Sequence, residues 1–432
     1  MKNLFNKIIK IKIKLLAKAY LWRYNPSIVG ITGSSGKTST KDAVETVLSH
    51  DKTVRSSPEG MEPEIGIPLA ILGDWKEIGG FFFWVKVITV SFLHLLIGSK
   101  SYPEVLILEY KVERPGDMKK LLSIVRPTIG VITEIGEVPV HVEFFSGAEA
   151  LAREKSKLIN QLPTTGFAVL NTDNDIIVAM KDQTRAHIVS YGFSDNSDIK
   201  ITSFESTLGE NQSGLAFKLN YGGSFIPVRL DSVLGKSKAY AAASAASVGI
   251  IFGINLVSIS ESLELFRPSP GRLKVLDGIK NTKIIDDSYG SSPSSMEEAL
   301  SVFKNIKNRK VVVLGGMLEI GKYTFEVHEN LGKKLSKLSD VLITVGMRGK
   351  IISESAIKAG MSKNKVHHFV NLREAKQFLQ GSIKEDDVIL IKGAMPIRME
   401  KIVKEVMARP SQAEELLVRQ SKEWEKEKSV YE

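Results

Sequence analysis

The 432-residue chain contains no cysteine. That excludes a disulfide framework, a thiolate zinc site and a cysteine nucleophile, and it leaves any catalytic metal to oxygen or nitrogen ligands. It suits a reducing compartment, here read as the cytoplasm. Acids are missing from the first 41 residues, which hold nine Lys/Arg; Asp42 is the first. Most of the net charge of +10 sits in that segment. The near-neutral remainder argues against nucleic acid as a partner, because such a protein spreads a basic face over a domain. Also lacking is any unbroken apolar run long enough to be a clear membrane span. What is present, 43% hydrophobic and 25% charged residues, describes a globular protein of two or three domains.

Residues 1–26, MKNLFNKIIKIKIKLLAKAYLWRYNP, mix Lys2, Lys7, Lys10, Lys12, Lys14, Lys18 and Arg23 with Leu, Ile, Phe and Trp22. Without a small-residue cleavage site this is not an ordinary signal peptide. Two readings stand: a helix lying on an anionic membrane surface, or a helix packed on the body with its lysines in water. A second apolar block at 81–98 is interrupted by Lys86 and His94, which favours a buried or interfacial helix over a span.

From Ser27 short β-branched runs alternate with helical stretches: SIVGIT (27–32), VLILE (105–109), IGVIT (129–133), FAVL (167–170) and HIVSY (187–191). That pattern predicts a mostly parallel sheet of βαβ units. LAFKLNYGGSFIPVRL (215–230) predicts an antiparallel hairpin. Arg267-Pro-Ser-Pro-Gly-Arg272 reads as a linker, after which KIIDD, KVVVLGG, VLITVG and DVILIKG restart the alternation. The expected class is α/β, a central P-loop ATPase domain (27–266) followed by a smaller Rossmann-like α/β domain (267–409). A charged, solvated helical tail (410–432) is expected after them.

Thr32-Gly-Ser-Ser-Gly-Lys-Thr38 directly follows a strand and opens a helix. Gly33, Ser34, Ser35, Gly36 and Ser39 supply backbone and hydroxyl groups around an anion, reinforced by the positive helix end. Lys37 supplies a point charge for β- and γ-phosphates, and the Thr38 hydroxyl a ligand for Mg²⁺. Ile31 stands where the common P-loop has another glycine, so this is the shorter TGxxGKT form.

That loop resembles the nucleotide loop of the Mur ligases, which join amino acids or dipeptides to peptidoglycan precursors. The resemblance continues in order through Glu64-Ile-Gly-Ile-Pro-Leu69, Leu108-Glu109 with Pro115-Gly116, His141-Val-Glu-Phe-Phe145 and Asn171-Thr-Asp-Asn174. It goes on through Gly271-Arg272, Asp286-Asp-Ser-Tyr289, Gly315-Gly-Met-Leu-Glu-Ile-Gly321, and Lys392-Gly393 with Arg398-Met-Glu400. The DDSY and GGMLEIG stretches, with His328, are most like the branch that adds D-alanyl-D-alanine. The resemblance implies an ATP-dependent amide-bond ligase working through an acyl phosphate, with two Mg²⁺ ions between carboxylate and triphosphate. It implies Thr38, Glu109, His141 and a carbamylated Lys155 as metal ligands, Lys37, His141, Lys155 and Arg272 as catalytic, and Asp287 and Tyr289 at the nucleotide. Arg272 is expected to reach the phosphates when the second domain closes. Asn171 either lines the nucleotide pocket or makes an Asx turn. Plain alternatives stand for Lys155, a surface lysine, and for His141, a structural histidine.

Departures from the family pattern concentrate away from the phosphate loop. Only about 26 residues precede the first strand, so the domain that grips the UDP-sugar is not expected. Glu134 replaces the usual Asn, Gly290 replaces the Asn after the tyrosine, extra residues separate Gly136 from His141, and Ala394-Met395 replace Ser-Arg. Hence the alternatives: a related ligase adding another amino acid to a lipid-linked or other carboxylate acceptor, or a non-catalytic nucleotide-binding subunit of wall synthesis. A monomer is expected, cytoplasmic and peripheral to the inner membrane face if residues 1–26 touch lipid.

Overall fold

The structure, a computed structural model, describes residues 2–75, 77–99, 101–209 and 213–432, with side chains from Lys7 onward except Glu423. The Lys2 side chain lies outside that set. Among the described residues are two sheets, one per lobe. The first comprises β1 Ser27–Thr32, β2 Val54–Ser56, β3 Val105–Glu109, β4 Ile129–Ile132, β5 Phe167–Asn171, β6 His187–Gly192, β7 Ile199–Leu208, β8 Ser213–Tyr221 and β9 Ser224–Asp231. They order as β2-β3-β1-β4-β5-β6-β7-β8-β9, parallel from β2 to β7 and antiparallel thereafter. The predicted hairpin is β8–β9; β7 pairs beside it and breaks register between Thr202 and Glu205. A bulge in a strand with six exposed or half-exposed polar residues hides the period-two signal.

The central strands are buried on both faces, which is why they read as continuous apolar runs. One face packs on α2 (Lys37–Leu48) and on helices Lys236–Ile251 and Leu256–Glu264. The other packs on α1 (Lys2–Tyr24), α3 (Pro63–Leu72) and α4 (Phe81–Ile97). Ile9, Ile13, Ala17 and Tyr20 recur at helical spacing and form the buried stripe of α1. The Tyr20 hydroxyl donates to the Ser91 carbonyl at 3.0 Å, which ties α1 to α4.

The second sheet contains β10 Lys274–Asp277, β11 Lys283–Asp287, β12 Lys310–Leu314, β13 Val341–Val345, β14 Val366–Phe369 and β15 Val388–Lys392. Its order is β10-β11-β15-β12-β13-β14, parallel except for β10. The linker is pinned: Ser269 Oγ donates to Asp42 Oδ2 at 2.6 Å and to Glu59 Oε1 at 3.1 Å. Gly271 sits at φ +70°, where an added Cβ would lie 3.0 Å from the Tyr289 nitrogen.

Residues 410–432 differ from the solvated helix expected of them. They break into short helices, Ala413–Leu416 and Lys422–Lys426, and fold back over the second lobe. Ala413 and Leu417 enter its core. Arg419, at φ +58°, donates to the Ser288 carbonyl at 2.6 Å and to Glu400 Oε2 at 2.9 Å. Arg398 donates to the Trp424 and Glu427 carbonyls, each at 2.9 Å, and also meets the Glu400 carboxylate. Charge made the segment look solvated; a buried carboxylate distant in sequence is what receives it.

Candidate active site

Carboxyl ends of parallel strands are where such sheets bind ligands, and β1, β3 and β4 end together here. After β1 the chain turns through Gly33–Gly36 into α2, with Gly36 at φ +78°. Ser34 N donates to the Glu134 carbonyl at 2.6 Å, and Thr133 Oγ1 donates to the Ser35 carbonyl at 2.5 Å. The Ser35 hydroxyl meets the Glu134 carboxylate, so the residue that departs from the expected Asn helps hold the loop.

Lys37 Nζ donates to the Gly33 carbonyl at 3.1 Å, and Lys155 Nζ reaches the same oxygen at 3.0 Å from helix Ala148–Asn160. Burial lowers the pKa of Lys37. Burial, with the neighbouring Lys37 charge second, drops Lys155 well below the ordinary lysine value. Lys155 is therefore no surface lysine; it lies behind the loop and outside the cavity lining. Thr38 Oγ1 donates to Glu109 Oε2 at 3.3 Å.

The loop opens on a cavity of about 500 Å³ between the lobes. Ser34, Ser35, Gly36, Lys37, Thr38, Ser39, Glu109 and His141 line it from the first lobe, and Arg272, Asp287, Tyr289 and Lys392 from the linker and second lobe. The Arg272 guanidinium lies 3.5 Å from the Tyr289 ring centre, and its buried Nε and Nη2 have no hydrogen-bond partner. Asp287 accepts from Lys392 Nζ at 2.6 Å and from Leu273 N at 3.2 Å. His141, at φ +70°, pairs through Nδ1 with Glu319 Oε2 at 2.6 Å across the lobes, and the close imidazole lowers the pKa of Glu319. Asn171 is the exception: it lies outside the lining, and its Oδ1 accepts from Asp173 N at 2.9 Å, the Asx turn.

Sequence reasoning gave no role to several lining side chains, Lys238, Glu319 and Trp424 among them. Lys238, at the start of Lys236–Ile251, lines the cavity and donates to Ser39 Oγ at 3.1 Å; burial takes its pKa down to about 8. Its only local signal was Gly235-Lys-Ser-Lys238 opening an alanine-rich helix. Glu319, inside the GGMLEIG stretch but given no role from it, and the tail's Trp424 also line the cavity.

Metal fit was tested on the donors present. Among the described residues no three His, Asp or Glu side chains converge as a ready cage. The Thr38 hydroxyl and Glu109 carboxylate do form an adjacent pair of hard oxygen donors, which suits Mg²⁺ shared with phosphate oxygens. His141 lines the same cavity but is engaged by Glu319.

Comparison with known proteins agrees with this layout. Residues 88–249 match the Mur ligase middle domain and residues 271–395 the Mur ligase glutamate ligase domain, together more than half the chain. The UDP-N-acetylmuramoyl-tripeptide–D-alanyl-D-alanine ligase of Bacillus subtilis is 27% identical over 404 residues, 92% of this chain and 79% of its own. That of Mycobacterium leprae is 29% identical over 395 residues, 85% and 71% respectively. Among solved structures, the MurF ligase of Thermotoga maritima in complex with ADP superposes with a TM-score of 0.75 at 23% identity, covering 92% of this chain and 83% of that one.

Proposed function

This chain belongs to the Mur ligase family, and on that premise we propose that it is an ADP-forming ligase that adds D-alanyl-D-alanine to a peptidoglycan precursor peptide. One observation carries the proposal. A single cavity presents Lys37, Thr38 and Glu109 from one lobe opposite Arg272, Asp287 and Lys392 from the other.

In this reading the triphosphate of ATP lies along Ser34–Ser39, held by the loop N–H groups and the positive end of α2. An oxygen of the acceptor carboxylate attacks the γ-phosphorus and ADP leaves; the amine then attacks the acyl carbon and phosphate leaves. Two anions must meet, so cations have to stand between them. Lys37 is one. Arg272 is another: its Nε and Nη2 make no hydrogen bond, Glu59 Oε1 stands 3.8 Å from Nη2, and phosphate oxygens are the natural partners of such a guanidinium. Thr38 and Glu109 would hold Mg²⁺, which supplies charge neutralisation at the transferring phosphoryl group. Lys155, buried beside the loop, is proposed to be carbamylated, turning a cation into an anion on the metal side. Asp287 and Tyr289 serve the nucleotide's sugar side. Lobe closure excludes water from the acyl phosphate. The enzyme is taken to act as a cytoplasmic monomer, touching the inner membrane face through residues 1–26.

A related ligase with a different amine is the second reading, favoured by Ala394, Met395 and Trp424 in the cavity wall. The test incubates the full chain with ATP, Mg²⁺, UDP-muramoyl tripeptide and D-alanyl-D-alanine, with Lys37→Ala as blank. ADP release that needs both acceptor and amine, with a product of the expected mass, supports the proposal. Release with another amine selects the second reading; hydrolysis indifferent to both substrates rejects the two together.

A further inference from the structure

We propose that α1 and α4 together form a docking surface for an anionic lipid bilayer. Helix α1 is apolar on two sides. Opposite its buried stripe, Ile8, Ile11, Leu15 and Trp22 fall within an arc of about 60° at 100° per residue, and all four are exposed, Trp22 by 88%. Exposed Lys7 and Lys18 border that arc on one side, and Lys12 and Arg23 on the other. An apolar stripe bracketed by cations is the pattern of a helix seated at headgroup depth, with its lysines reaching phosphates.

Helix α4 repeats the arrangement. Trp84, Val87 and Ser91 face the protein, while Phe82, Val85, Phe92, Leu93 and Leu96 occupy the opposite side, Phe82 exposed by 85%. Neither helix contains an acidic residue. The two pack against each other, joined by Tyr20 to Ser91 and by the Tyr24 hydroxyl to the His94 carbonyl at 2.8 Å. So large a run of exposed aromatic and aliphatic side chains marks a contact surface. Its cationic border selects an anionic lipid surface over a second copy of this chain, whose same face would bring lysine against lysine. Among the described residues no helix is long and apolar enough to cross a membrane, so the contact lies along the bilayer. On its inner side, α1 donates from Lys10 to Glu62 at 2.7 Å, and Glu62 lines the central cavity. Docking thus places the substrate site one ion pair from the lipid-bound helix.

This surface is independent of the ligase reading, because vesicle binding is measured without substrate. Full-length protein is floated with vesicles of phosphatidylcholine, alone or mixed with phosphatidylglycerol. Binding to the mixed vesicles is expected, weakened by salt as the Debye length shrinks below about 10 Å. Trp22 emission should shift to the blue on those vesicles, a change missing in Trp22→Phe. Lys12→Gln and Lys18→Gln should each lower affinity about fivefold. Phe82→Ser with Leu96→Ser should lower it at least about tenfold, with nucleotide binding retained as the check on folding. The proposal is overturned by absence of flotation with mixed vesicles, by binding that none of these variants alters, or by a stable dimer that Phe82→Ser dissociates.

Discussion

Two lysine ammonium groups, Lys37 and Lys155, converge on the carbonyl of Gly33. A bound γ-phosphate offers Lys37 a far stronger acceptor, so Lys37→Ala should cut phosphate release about 100-fold or more, with thermal stability unchanged or raised. Lys155 answers a different question. If it carries a carbamate, ¹³C-bicarbonate should give a carbamate resonance that Lys155→Arg lacks; a silent spectrum at full activity removes the modification. Lys238 gives a pH signature. Its folded pKa of about 8 lies below the unfolded 10.5, so the folded state has shed a proton that the unfolded chain still holds between those values. Stability therefore rises with pH across that window, and the penalty below it amounts to about 3 kcal/mol. Urea titrations at pH 7 and pH 10 should show this rise in the native protein and a flattened one in Lys238→Met. The phosphate loop was legible because its spacing is set locally by backbone geometry. Lys238 was not, because it reaches the site from a helix and lies 199 residues after its partner Ser39.

At the scale of elements, apolar runs buried on both faces made the parallel strands plain in the sequence, and the cationic helix at the start was equally visible. The tail was misjudged. Its EELLVRQSKEWEKEK composition suits a solvated helix, whereas Arg419 and Arg398 instead share the buried Glu400. Removing Arg419 leaves the buried Glu400 carboxylate with Arg398 alone and takes the donor from the Ser288 and Tyr289 carbonyls. Arg419→Ala should therefore destabilise the second lobe by about 3 kcal/mol, read as a shift in its urea midpoint. The first lobe, followed through Trp22, Trp75 and Trp84, should unfold as before. Asn171 shows the same limit on a smaller scale: an Asx turn and a ligand contact call for the same residue type, and only the fold chose between them.

For the molecule as a whole, the decisive arrangement is two lobes meeting over one cavity with Gly271 at their junction. The order of motifs made the lobes readable, but not the contact between them: His141 pairing with Glu319 joins residues that nothing in their local sequence connects. Gly271→Val forces a branched side chain into positive φ and against Tyr289, so it should impair closure more than nucleotide binding. The expected outcome is a kcat reduced at least about tenfold with KM for ATP changed little; an equal loss in both would mean the junction shapes the nucleotide site itself.

Trp424 lines the cavity whose phosphate loop was synthesised some 390 residues earlier, and Arg398, which donates to the Trp424 carbonyl, follows β15 beyond a short turn at Met395–Ile397. On the ribosome, the phosphate loop therefore emerges long before the opposite wall of the cavity, which is complete only when the last residues of the chain have been added.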